Sequence, residues 1–302
     1  MHVLHIDLGR EMRGGQFQIL MLMRGLREAG YTQELLVRSA APLSHLARDS
    51  GFAVASARPQ AVLASSGVAD VVHAHDAHSH SLAALFSRST FVVSRRVAFP
   101  VGRGFPSRWK YGRARRYLAV SKFVAGQLER AGVDRAKIDV VYDGVTTLPS
   151  RIDSARPRTN VVALESKDPL KCRDLITKAA GIAGLPVVFS SDLTRDLQSA
   201  TVFLYVTKSE GFGSAALLAM SLGVPVVASR VGGLPEIVQH EASGLLVSND
   251  PEEIAAAVLR LRSDTNLALA LARNGRARVE REFSDSRMVE STMESYRRAL
   301  SA

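Results

Sequence analysis

The sequence predicts an α/β protein of two Rossmann-like, doubly wound domains facing a cleft. Short apolar runs alternate with amphipathic stretches through both halves, the pattern of strand and helix units feeding parallel sheets. Residues 147–159 hold two prolines, two serines and several charges without periodicity, and read as a linker. The 302 residues suffice for two modest cores. The first domain is therefore expected over 1–148, and a trimmed second domain with a terminal helix over 149–302.

Apolar residues make up 46% and charged residues 23%, the balance of a soluble globular chain. The net charge of +10 calls for an anionic partner: a nucleotide, an acidic lipid surface or nucleic acid. Cys172 is the only cysteine, so no intramolecular disulfide forms and a cytoplasmic setting is expected. The opening residues lack a signal-peptide pattern, and no apolar run reaches transmembrane length. Any membrane contact is expected to be peripheral.

The first strand is expected at 3–8. After a glycine-containing loop, 17–29 places Ile19, Leu20, Leu22, Met23 and Leu26 at helical spacing, and Gly30 stops the helix. Strands follow at 34–37, 52–55, 71–73, 91–94, 117–120 and 138–142, with helices near 42–49, 80–87 and 122–131. The second half is expected to hold strands at 161–164, 187–190, 202–206, 224–228 and 245–247. Its helices fall at 169–180, 193–200, 214–222, 235–240 and 251–264. From Asn266 the pattern is helical, with Phe283 and Ser284 marking a break before a last helix that includes Tyr296.

The most informative run lies at 202–236. A strand ends in Ser209, Glu210, Gly211, Phe212, Gly213 and Ser214, which open a helix. Such a turn presents N–H groups and a positive dipole end to an anion, and its glycines admit a ligand close to the backbone. Ligands of open α/β sheets bind at these carboxyl ends of strands. On chemistry alone Glu210 could instead cap the following helix.

This run resembles the family-four retaining glycosyltransferases of group 1 type, which have the GT-B fold. They carry a strand, Ser-Glu-Gly-Phe-Gly, Ala-Met, a Gly-x-Pro-Val-Val-Ala-Ser strand and then Gly-Gly-x-x-Glu. The resemblance implies that Glu210 lies beside the donor sugar as a catalytic residue. It likewise implies that Ser209, Gly211, Phe212, Gly213 and Ser214 contact sugar and phosphates. Gly232 and Gly233 either bring backbone near the donor or form a plain turn, and Glu236 is expected to be structural. One position departs from the family: Leu218 stands where a second glutamate usually binds the ribose.

The family grips the donor pyrophosphate with an Arg and a Lys at the start of its second domain. Ungapped counting places the lysine at Lys171 and the arginine at Ser166. Asp168 as N-cap and Pro169 at the first helical position instead leave Lys167 at an anion-binding helix end. Either lysine can serve. Only 181–200 stands where relatives have a further strand, glycine-rich turn and helix, hence the trimmed second domain.

In the first domain Gly14 and Gly15, followed by Gln16, resemble the family's first loop beside donor phosphate and acceptor; a tight turn is the plainer reading. His73, His75, His78 and His80 place four imidazoles within eight residues. A zinc site is not expected, because no cysteine joins them and the pair at 73 and 75 is read as pointing to opposite faces. The family's His-x-His-Asp makes His75 and Asp76 candidates for contacting sugar or acceptor, with His73 packing and His78 and His80 near solvent.

Arg95 and Arg96 stand where relatives often have a histidine, and suit phosphate or an acidic acceptor. Arg103, Arg108, Lys110, Arg113, Arg115 and Arg116 continue the basic run around Phe105, Trp109 and Tyr111. That combination fits an anionic membrane surface or an acceptor rim. Nucleic acid is not expected, since no recognised module is present.

The resemblance implies transfer of a sugar, with retention, from a nucleotide sugar to a hydroxyl of a glycan or lipid-linked acceptor, as in polysaccharide biosynthesis. No cofactor and no metal is expected. A non-catalytic sugar-nucleotide-binding scaffold on the same fold is the alternative.

Overall fold

The computed structural model describes residues 1–102, 104–146, 149, 152 and 160–301. Most of the expected linker, and Arg103, lie outside the described residues. The chain divides into two compact units, Met1–Gly144 with Asp285–Ala302, and Val145–Ser284.

The first unit runs β1 (His2–Asp7), α1 (Gly14–Glu28), β2 (Thr32–Val37), α2 (Pro42–Asp49), β3 (Ala53–Ser56), α3 (Pro59–Ser66) and β4 (Val71–Ala74). It continues with α4 (Ala77–Phe86), β5 (Phe91–Arg95), α5 (Phe105–Arg113), β6 (Arg116–Ala119), α6 (Lys122–Arg130) and β7 (Ile138–Val140). Its parallel sheet has the order β3-β2-β1-β4-β5-β6-β7, the doubly wound arrangement. β1 and β4 are buried on both faces, and their sequences are mostly apolar on both, with His5, Asp7 and His73 the polar exceptions after His2. The sequence reading had left out α3 and α5, two short helices without a clear apolar stripe.

The second unit begins with β8 (Asn160–Leu164), α7 (Arg173–Ala183), β9 (Val187–Ser190), α8 (Leu193–Asp196), β10 (Ala200–Tyr205) and α9 (Ser214–Ser221). β11 (Val226–Ser229), α10 (Leu234–Ile237), β12 (Leu245–Val247), α11 (Pro251–Ser263) and α12 (Thr265–Glu282) complete it. Its five-stranded parallel sheet has the order β12-β11-β10-β8-β9. Ile176 and Ala179 of α7 and Ile254, Val258 and Leu261 of α11 pack with Val161, Val202, Leu204 and Val227 in one core.

The last helix, α13 (Asp285–Ser301), follows the break at Phe283 and Ser284 but belongs to the first unit, not the second where the sequence reading placed it. Its Met288, Val289, Tyr296 and Ala299 pack with Val3, Leu22, Leu26, Val71 and Val92. Gly25 of α1 admits it: a Cβ there would lie 2.4 Å from Val289 Cγ2. Periodicity shows that a helix has an apolar face, not which sheet covers it. Among the described residues, no helix is long and apolar enough to cross a membrane.

Candidate functional site

β10 ends at Tyr205, and the Ser209 turn leads from it into α9. Gly213 is the N-cap of α9 at φ +119°, where a Cβ would also meet Leu234 Cδ2 at 2.7 Å. Phe212 is buried and lies edge-on to Phe283, which pins the turn to the core. Gly232 and Gly233 serve close approach of backbone to backbone. A Cβ at Gly232 would stand 1.9 Å from the Glu210 carbonyl oxygen, and one at Gly233 2.3 Å from that of Gly211. The Gly233 N–H donates to the Glu210 carbonyl at 3.1 Å. The Glu236 backbone carbonyl accepts from Arg278.

This scaffold holds a compact polar group. Lys171 Nζ donates to Glu210 Oε2 at 2.6 Å and to the Tyr205 hydroxyl at 2.8 Å, and that hydroxyl donates to the same Oε2 at 2.5 Å. The Phe212 N–H reaches Oε1 at 3.4 Å. Burial pushes the Glu210 carboxyl up, but the Lys171 charge and these hydrogen bonds together hold it below its ordinary value. Burial first, then the neighbouring carboxylate, pushes the Tyr205 hydroxyl well up. Glu210 is thus a charged carboxylate with a neutral phenol and a cation fixed on it. It does more than cap a helix.

The two candidate lysines separate. Asp168 caps only a 3-10 turn, Pro169–Lys171, and α7 begins after Cys172, which has φ +48°. Lys167 therefore sits exposed before a single turn, without the helix end that the sequence reading gave it. Lys171 reaches Glu210 because the turn brings Leu170 under β10's end, its carbonyl accepting from Thr207 Oγ1 and from the Lys208 N–H. Ser209 lies on the same turn, its carbonyl also accepting from Thr207 Oγ1. Leu218, in α9, is half-buried.

In the first unit α1 starts at Gly14, so Gly14 and Gly15 form its first turn. Gln16 closes that turn, accepting from the Arg13 N–H and donating to the Asp7 carboxylate. Burial, then the charge of Asp76, raises the Asp7 carboxyl to about 6. Asp76 caps α4 through the His78 and Ser79 amides and also accepts from the Leu8 N–H at 2.6 Å. Its carboxylate thus ties the ends of β1 and β4 together.

His73 and His75 do not point apart, as the sequence reading had them. Their ring centroids lie 3.9 Å apart, and His5 of β1 joins them. Side chains alternate along a strand, so positions two apart share a face. The three could in principle ligate a metal, but five of their six ring nitrogens already have partners. His73 meets the Tyr296 hydroxyl and Ser94 Oγ; His5 meets Gln33 Oε1 and His75 Nε2.

The protons in this chain can be assigned. Gln33 Nε2 donates to the Met23 carbonyl, so its Oε1 accepts from His5 Nε2. His5 Nδ1 then accepts from His75 Nε2, and His75 Nδ1 keeps a buried lone pair with no partner among the described residues. Burial holds all three imidazoles neutral, His5 near 4 and the others well below their ordinary value. His80 is also buried, its pKa lowered to about 3 first by burial, whereas His78 is exposed.

Arg96 Nε donates to Asp143 at 2.9 Å, and its buried Nη1 has no partner among the described residues. Arg95 donates to the Phe99 carbonyl and the Tyr111 hydroxyl, leaving its Nε buried and, among the described residues, unpartnered. Sequence reasoning missed Tyr205, His5 and Asp7. Each is a polar residue inside or ending an apolar strand, which is the signal that was available.

The chain is similar in sequence and fold to known proteins. The model of Glycosyltransferase Family 4 matches residues 7–147, and that of Glycosyl transferases group 1 matches residues 143–264. D-inositol 3-phosphate glycosyltransferase of Saccharomonospora viridis is 39% identical over 119 residues, 39% of this chain and 27% of that protein. The enzyme of that name from Mycobacterium marinum is 31% identical over 215 residues, covering 55% of this chain and 46% of that one. The chain thus spans less than half the length of either relative. Anabaena HepE in complex with UDP-glucose superposes with a TM-score of 0.83 at 17% identity, covering 97% of this chain and 98% of that one. The fold is that of the GT-B glycosyltransferases, and the chain belongs to the family-four, group 1 glycosyltransferases.

Proposed function

We propose that the chain transfers a sugar from a nucleoside diphosphate sugar to a hydroxyl of a glycan or lipid-linked acceptor, with retention and without a metal or other cofactor. The observation that carries this is Lys171 held on Glu210 and Tyr205 beside the glycine-built turn. A carboxylate kept ionised can face positive charge developing on the sugar carbon. The neighbouring ammonium and the start of α9 suit the diphosphate as charge builds on it. Lys171 takes the pyrophosphate role, with Lys167 left to solvent. His75, Asp76, Arg95, Gly14 and Gly15 are assigned to sugar or acceptor contacts in the first unit, the bare His75 Nδ1 being suited to accept from a hydroxyl. The UDP-glucose bound by HepE supports a nucleotide-sugar donor. A single cysteine is consistent with a cytoplasmic setting.

Incubation of UDP-, GDP-, ADP- and CDP-sugars with glycan or lipid-linked hydroxyl acceptors in the presence of a chelator should release the nucleoside diphosphate from one of them and yield a product of unchanged anomeric configuration. Glu210→Ala should lower turnover about a hundredfold or more. Undiminished transfer removes Glu210 from the mechanism. Leu218 favours a second reading, a binding scaffold, which donor binding without turnover would support.

A further inference from the structure

We propose that the outward face of α5, with the segment leading to it, docks this protein on an anionic lipid bilayer. Between residues 77 and 128 the sequence has ten Lys and Arg and no Asp or Glu. α5 lies within that stretch and none of its residues is buried. Its inner side is nonetheless anchored. Lys110 Nζ donates to Ser81 Oγ at 3.2 Å, and the Tyr111 ring stacks on Tyr117 and meets His80 edge-on.

That anchoring leaves Phe105, Arg108, Trp109 and Arg113 together on the other side, at spacings of three, four and eight residues along one helix. Phe105 is 81% exposed and Trp109 41%. The Arg113 guanidinium lies 5.5 Å from the Trp109 ring centroid. Val97 and Phe99 are also exposed on the approach to the helix.

A single exposed apolar side chain needs no explanation; four within thirteen residues of an acid-free, basic segment do. Arginines meet lipid phosphates while aromatic rings enter the headgroup boundary, the division of labour of interfacial helices. Nucleic acid would satisfy the charge, but phosphate contacts have no use for an exposed Val97 and Phe99. The lipid surface accounts for both the charge and the apolar side chains.

Trp109 is the only tryptophan, so its emission reports this helix alone. The protein is mixed with vesicles of phosphatidylcholine, or of phosphatidylcholine with phosphatidylglycerol. Only the anionic vesicles should shift the emission to the blue, carry the protein down on sedimentation, and quench the emission when their acyl chains are brominated. High salt should release it. Phe105→Ser should weaken sedimentation roughly tenfold, and Arg108→Glu with Arg113→Glu should abolish it while circular dichroism stays unchanged. No shift on anionic vesicles overturns the proposal, as does equal binding to neutral ones. A Trp109 response to single-stranded nucleic acid but not to vesicles does so too. Sugar transfer is not read, so the outcome is separate from that of the donor experiments.

Discussion

In the second unit a half-buried carboxylate, Glu210, stays charged because a half-buried ammonium and a phenol sit on it, whereas in the first unit burial keeps three imidazoles neutral and hydrogen bonds link them. Both arrangements lie at the carboxyl ends of parallel strands and both satisfy polar groups taken from water. They differ in what remains to offer. Glu210 and Lys171 hold opposite full charges 2.6 Å apart, fit for a reaction that separates charge. The histidine chain holds one directed lone pair at His75 Nδ1, fit for orienting a hydroxyl.

The sharpest way to break the comparison is to remove one charge of the ion pair. Lys171→Met leaves Glu210 buried and uncompensated, and should cost about 3–5 kcal/mol in denaturant unfolding. Adding Glu210→Gln should recover most of it. If the single variant is as stable as the parent, the ion pair does not hold the turn.

Acid should distinguish the two units next. Burial lowers His5 from its ordinary 6.5 to about 4, so the folded state binds fewer protons. The stability it contributes is complete above pH 6.5 and is lost as pH falls toward 4, about 3 kcal/mol at 1.36 kcal/mol per unit. His73 and His75 act in the same direction. Asp7, raised to about 6, partly opposes them, its contribution being present below 3.8 and lost as pH rises through 6. Glu210, with a lowered pKa, loses its contribution only below 4.5. Hydrogen exchange between pH 7 and 5 should therefore show β1 and β4 losing protection before β10, and His5→Gln should flatten that trend. Equal loss in both units would mean that the imidazoles do not set acid stability.

The smallest effect is expected from Tyr296→Phe. It leaves His73 Nδ1 buried without its partner at 2.7 Å and should cost about 1–3 kcal/mol, read as a lower thermal midpoint. No change would mean that α13 holds the cluster by packing alone.

Much of the fold was legible because parallel strands buried on both faces are apolar runs whatever they pack against. The strand at 187–190 and the helix at 42–49 match the observed bounds. The Ser209 turn was legible because only glycine suits Gly213 at φ +119° or the crowded Gly232. Short helices such as α3 and α5 escaped, lacking an apolar stripe long enough to register.

By itself the sequence determined most of the elements, the turn and its carboxylate, since local periodicity and glycine chemistry act over a few residues. Only the tertiary structure decided that Lys171 and not Lys167 reaches Glu210, across 39 residues of chain. It also decided that His5 meets His75 across 70 residues, and that the last helix returns over 223 residues to set Tyr296 on His73. Such partners are chosen by which surfaces remain to be covered once the sheets have formed, and no local pattern records that choice.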